Sequence, residues 1–331
     1  MFRKLHFKFR GLPTPMAGLA LGVASLGWCM ENALPLHGFG QLTGAVIASC
    51  LLMLLVVRFA FHADTLVNDL RHPVAGSIVP TFAMAVMVIS RALHDFVPNF
   101  SVVLWCLAVA AHLVALVAFI IYRSREAVMG NMVPSWFIPP VGIIVADVSF
   151  PGTPALEWLA DGLLVIGMSA YAVMLPMMIY RFIFHPEVPN AAKPTIAIMA
   201  APASLSLAGY LTVVEEPSLL LVAILLGIAL LMTLAIYFCF WKLLRLQFSP
   251  GYAAFTFPMA IGATALYKVS NLVNSIPGGQ EYAMQLRIMA HVELIIAALV
   301  ISYVFVLYMK NLKVFMSVEM PARTVSQQPQ P

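Results

Sequence analysis

Leu219-Leu-Leu-Val-Ala-Ile-Leu-Leu-Gly-Ile-Ala-Leu-Leu-Met-Thr-Leu-Ala-Ile-Tyr-Phe-Cys-Phe240 lies between Glu216 and Lys242 without a charged side chain. A helix that is apolar all round belongs in the core of a large protein or in a membrane. A hydrocarbon core about 30 Å thick takes roughly 20 such residues to cross. The rest of the chain chooses between the two. It is 62% hydrophobic and 10% charged, whereas a soluble domain is about 25% charged. The polar groups needed to cover a soluble core are missing. The fold class is therefore an all-α integral membrane protein.

Outward from that run, ten segments meet or approach the required length: 14–34, 40–62, 73–94, 101–123, 135–150, 155–184, 194–213, 217–244, 250–274 and 282–309. The expected organisation is a basic N-terminal segment (1–13), a ten-helix transmembrane domain (14–310) and a polar, proline-containing disordered tail (311–331). Of the eighteen lysines and arginines, only Arg91, Lys268 and Arg287 fall on the face opposite the N-terminus. Positive charge concentrates on the cytoplasmic side, so both termini are expected in the cytoplasm. The start, Met1-Phe-Arg-Lys-Leu-His-Phe-Lys-Phe-Arg10, reads as a retained cytoplasmic anchor, because many further hydrophobic runs follow it.

Odd and even segments differ in kind. Each odd segment carries a proline with small residues beside it: Pro15-Met-Ala-Gly18, Pro80-Thr-Phe-Ala83, Pro140-Val-Gly142, Pro202-Ala-Ser204 and Pro258-Met-Ala260. Successive prolines are 65, 60, 62 and 56 residues apart, about one helical hairpin each. Proline kinks a helix and frees a carbonyl, and in a membrane that carbonyl must be satisfied by protein or water. Smooth Leu/Val/Ile/Ala runs, interrupted by Pro176 alone, make up the even segments. The pattern predicts five hairpins, with odd helices in an inner ring around a central pore and even helices outside. Gly18, Thr81, Gly142, Ser204 and Thr256, with Gly22, Ser206, Gly209 and Gly262, are candidates either for pore walls or for close helix packing.

Several of these stretches resemble the tellurite-resistance/dicarboxylate transporter family, which includes bacterial tellurite-resistance permeases, fungal malate permeases and plant guard-cell slow anion channels. The matching residues are Arg71-His-Pro-Val74, Pro194-Thr-Ile-Ala-Ile-Met-Ala-Ala-Pro-Ala-Ser204 with Ala208-Gly-Tyr-Leu211, and Ala254-Phe-Thr-Phe-Pro-Met259. The resemblance implies a homotrimer in the bacterial cytoplasmic membrane, with a pore in each subunit for small inorganic or organic anions. It also implies a gating phenylalanine on the ninth helix, which falls on Phe257. Phe255, two positions earlier, is about 200° away around a helix and so cannot plug the same pore. Pro80 sits three residues earlier than in the tellurite-resistance members. The long cytoplasmic tails of the plant members are absent from this sequence.

Ionisable residues within spans are costly and often functional. Arg91 and Lys268, toward the external ends of odd helices, suit an anion-attracting vestibule; snorkelling, or pairing with Asp147 or Glu31, is the alternative. His112, His291 and Glu293 sit on even helices, where interhelical hydrogen bonds compete with a proton relay. Cys29, Cys50, Cys106 and Cys239 form no CxxC pair, so no metal site or disulfide framework is signalled. No HExxH, GxSxG, phosphate-binding loop or dinucleotide motif is present. The expectations are no enzyme, no cofactor and no nucleic-acid partner. Function then lies between an anion channel and a secondary carrier for C4-dicarboxylates or an oxyanion such as tellurite. Five similar hairpins differ from the two inverted halves of many carriers, which favours the channel.

Overall fold

The computed structural model describes residues 9–125 and 128–317. Most of the N-terminal segment (1–8) and most of the tail (318–331) lie outside the described residues. Among those described, all regular structure is helical. Seven helices are long and apolar enough to cross a membrane: Phe39–Phe61, Ala75–Leu93, Pro98–Ser124, Pro154–Phe184, Asn190–Val213, Leu219–Leu243 and Gln280–Phe315. Met16–Met30 and Pro134–Val148 are shorter apolar helices. Phe257–Ser275 has the length of a span but is more polar, with Lys268, Asn271 and Asn274 in its C-terminal half. These stretches overlap the hydrophobic segments of the sequence. The protein is a multi-pass membrane protein.

Burial separates the segments into two kinds. In Ala75–Leu93 and Asn190–Val213, 72% of the most apolar stretch is buried, against 28–39% in the five long even-numbered helices. Large apolar side chains such as Val114, Leu220, Phe238 and Trp241 stand exposed on the even helices, as lipid-facing positions do. The odd segments pack in a closed cycle: first on third, third on fifth, fifth on seventh, seventh on ninth, and ninth back on first. Each also packs against the even helix that follows it.

The prolines act differently from a mid-helix kink. Pro15 and Pro80 immediately precede the helices Met16–Met30 and Thr81–Leu93. Pro202 and Pro258 are the second residues of Ala201–Val213 and Phe257–Ser275. At a helix start the amide that proline lacks has no partner to lose, so the chain restarts a helix instead of bending one. The N-terminal parts of the seventh and ninth segments, Asn190–Ala200 and Pro250–Phe255, are wound as 3₁₀-helix. Around Pro140 the fifth segment alternates short α and 3₁₀ turns from Pro134 to Val148.

Carbonyls freed in these broken segments find protein donors. His112 Nε2 lies 2.8 Å from the Pro139 oxygen, Trp105 Nε1 donates to Ala146 over 3.1 Å, and Trp136 Nε1 donates to Pro73 over 3.0 Å. His112 is thus used in helix-to-helix bonding. Donors from even helices reach back to residues at or just before the start of the preceding odd segment. Arg58 bonds Thr14 at 2.7 Å, Arg123 bonds the Arg71 carbonyl, Arg181 bonds the Gly130 carbonyl at 3.4 Å, and Tyr308 bonds the Pro250 carbonyl. Recurrence of this contact in four hairpins is what a repeated unit produces.

Two boundaries differ from the sequence reading. Ala63–Arg71, expected as loop, is a short helix with a strong polar face. Gln280–Phe315 carries the tenth segment beyond position 310, so residues 311–315 are helix and not disordered tail. Those added residues interleave Val314 and Phe315 with Lys310 and Lys313, which lets the last turns leave the apolar layer without breaking the helix.

Candidate functional site

Where the odd segments meet, they enclose a cavity of about 60 Å³. The first segment supplies Pro15, Gly18 and Leu21, and the third supplies Ile78, Thr81 and Met84. Three-residue spacing keeps such positions on one helical face. The fifth contributes Phe137, Val141 and Gly142; the seventh, Ile198, Pro202 and Leu205; the ninth, Ala253, Phe257 and Pro258. Among the described residues no even segment lines it.

Chemically the cavity is nearly all hydrocarbon. No lining residue is ionisable. Thr81 carries the one side-chain hydroxyl, and it donates to the Ile78 carbonyl at 2.7 Å. An ion here meets no side-chain donor left free for it, so crossing requires shedding water against an apolar wall.

The ninth segment is held from two sides. Phe255 turns away from the cavity and packs edge-on against Phe240 of the eighth helix, with ring centroids 5.5 Å apart; Tyr252 lies 4.7 Å away on its other side. Thr256 faces the first segment, its hydroxyl 2.7 Å from the Ala253 carbonyl and 3.2 Å from that of Gly18. Between these braced neighbours, Phe257 is one of the residues that line the cavity.

An apolar, all-helical chain whose five odd segments surround a cavity is matched by one family model, that of the voltage-dependent anion channel, over residues 14–309. The chain belongs to the voltage-dependent anion channel family. The match agrees with the resemblance carried by the motifs at Arg71, Pro194 and Ala254, and the family is one of transporters and channels rather than enzymes. Two uncharacterized transporters of Methanocaldococcus jannaschii are each 28% identical to it, over 236 and 230 residues. Those alignments cover 63% and 62% of this chain and 68% and 66% of the relatives.

Within this family member the small and hydroxyl residues divide. Gly18, Thr81 and Gly142 line the cavity, whereas Ser204 and Thr256 stand outside it, as do Pro80 and Pro140. The Ser204 hydroxyl bonds back to Ala200 at 3.1 Å. Gly22, Gly209 and Gly262 are packing positions: a Cβ on any of them would run into Thr256, Ile144 or Glu293 respectively.

Arg91 and Lys268 are also outside the lining, in the C-terminal halves of the third and ninth segments. Arg91 ion-pairs with Asp95 at 3.5 Å, and not with Asp147 or Glu31. One turn of helix brings Asp95 within reach at i+4, a pairing the sequence reading passed over. Glu31 instead accepts the amides of Gly38 and Gln41, each at 3.1 Å, tying the turn between the first and second segments. Asp147 is fully buried with neither oxygen hydrogen-bonded.

Proposed function

We propose that the chain is a gated pore for small anions, one pore in each subunit, closed by the ring of Phe257. Ten spans, arranged as five hairpins, would place the odd segments around the pore and the even ones against lipid. The observation that carries this reading is the origin of the cavity lining, which comes from all five odd segments and includes Phe257. The prolines Pro15, Pro202 and Pro258 bring helix starts to that lining, and Gly18 and Gly142 keep its wall thin.

Selectivity follows from the lining. An apolar constriction penalises ions by their hydration, so weakly hydrated monovalent anions cross more easily than doubly charged dicarboxylates or tellurite. Arg91 and Lys268 at the outer mouth raise the local anion concentration. Orientation with both termini in the cytoplasm rests on the lysine and arginine bias; the homotrimer and the bacterial inner membrane rest on the family resemblance.

A carrier for C4-dicarboxylates or an oxyanion is the second reading, favoured by the two buried carboxyls, Asp147 and Glu293. Proteoliposome flux separates the two. A channel passes nitrate and chloride down their gradients and accumulates nothing when a proton gradient is imposed. Uphill accumulation of succinate or tellurite driven by that proton gradient would replace the channel with the carrier.

A further inference from the structure

On the side of the ninth helix away from the cavity lies a carboxyl the pore does not use. Glu293, in the middle of Gln280–Phe315, is 8% exposed, and its Oε2 is enclosed without a hydrogen-bond partner. It rests on bare backbone: a Cβ built on Gly262 would come within 2.6 Å of Oε2. Gly262 belongs to the helix that carries Phe257. Five positions along, it points about 140° away from Phe257 around the axis. Cavity and carboxyl therefore press on nearly opposite faces of one helix.

The groups around Glu293 do not include a counter-charge. From the eighth helix come Thr233, whose Oγ1 is 3.8 Å from the Gly262 Cβ position, and Tyr237, whose hydroxyl is also without a partner. The first helix brings Cys29, which bonds Thr264. The ninth helix offers Gly262 at the contact. On the tenth helix itself, His291 bonds the Arg287 carbonyl at 2.6 Å, and Arg287 bonds the Asn32 carbonyl at 3.0 Å. Among the described residues around it no cation holds the charge of an ionised carboxylate, and Oε2 takes no hydrogen bond in this arrangement, so ionisation there is costly inside a bilayer.

We propose that Glu293 is a proton-binding site that sets the position of the ninth helix and, through it, of Phe257. With the proton bound, the neutral carboxyl seats on Gly262 as in this structure. With the proton gone, the carboxylate leaves that seat for water or a donor, the ninth helix shifts from the tenth, and the gate is released. The proposal rests on the reading of Phe257 as the gate. Asp147 is enclosed in a comparable way, but its neighbour is Gly209 of the seventh segment, so it has no direct lever on Phe257.

The test compares wild type, Glu293→Gln and Phe257→Ala, full length, in planar bilayers with nitrate across a pH series. Wild-type conductance is expected to rise from acid to alkaline bath on the order of tenfold, in the range of ordinary coupling between sites. Glu293→Gln, close to the neutral carboxyl in shape, should stay low and flat, and Phe257→Ala high and flat. Wild type without pH dependence, or Glu293→Gln that keeps it, overturns the proton site. Failure of Phe257→Ala to conduct instead strikes the gate reading. Infrared difference spectra give a second readout: a protonated carboxyl band lost in Glu293→Gln is expected, and its absence from wild type at every pH overturns the assignment.

Discussion

The hydroxyl of Thr256 lies 3.2 Å from the carbonyl oxygen of Gly18, a residue 238 positions earlier in the chain. This contact joins the ninth segment to the first and closes the cycle of odd segments. It also fixes the residue immediately before Phe257. One turn further along the first helix, Gly22 lies so close that a Cβ there would collide with the Thr256 side chain and come 3.1 Å from the Phe257 amide nitrogen.

Gly22→Ala and Gly18→Ala should therefore part company. An alanine at Gly18 would meet the Ala253 Cβ at 3.6 Å, an ordinary contact, and should leave thermal stability nearly unchanged. The Gly22→Ala variant overpacks a fixed backbone and should lose about 1–3 kcal/mol. Melting curves of purified protein in detergent measure both; equal losses would show that the first and ninth segments are not wedged at Gly22.

Phe257→Ala is expected to raise anion conductance strongly in protein that elutes as wild type does. The paired variant, Phe255→Ala, removes a ring packed between Phe240 and Tyr252. It should cost about 3–5 kcal/mol, as truncation of a buried phenylalanine does, without opening the pore. Bilayer recordings in which Phe255→Ala conducts and Phe257→Ala does not would move the gate.

Neutralising both Arg91 and Lys268 to glutamine should lower flux most at low ionic strength. Salt screens exposed charges beyond about 8–10 Å, so the deficit should shrink as salt is added. Flux that is unchanged at low salt would return both side chains to interfacial anchoring.

Orientation is open to labelling. Single cysteines placed in Glu31 to Gly38, Asp95 to Asn99, or Glu215 to Pro217 should react with an impermeant thiol reagent on intact cells. Reaction only after permeabilisation would invert the assigned topology.

Arg58 tests the anchors that tie even helices to the starts of odd segments. Its guanidinium is buried, 2.7 Å from the Thr14 hydroxyl and 2.9 Å from the Asp69 carboxylate. Arg58→Ala leaves that carboxylate uncompensated and should cost about 3–5 kcal/mol. The double variant with Asp69→Ala should lose clearly less than the sum of the two single losses, read from melting curves.

That the chain crosses a bilayer many times, and that its segments alternate in character, is legible in the amino-acid sequence. Both properties are local and repeat along the chain. Leu219 to Phe240 is apolar whatever surrounds it, and a proline withholds its amide in any context. The position of Arg91 near a helix end was likewise legible. What a small residue does was not. Gly18 and Gly22 are four positions apart on one helix, only about 40° around its axis, yet one faces the cavity and the other meets Thr256. Ser204 and Thr256 had the composition of pore walls, but their hydroxyls are used on backbone carbonyls outside the lining. Only tertiary structure assigned these roles, because each depends on what another segment, scores or hundreds of residues away, brings to that depth. Glu293 is the sharpest case: the sequence shows a carboxyl on an outer helix, and the packing of the eighth, ninth and tenth helices is what seats it, without a partner, on Gly262 behind the helix that carries Phe257.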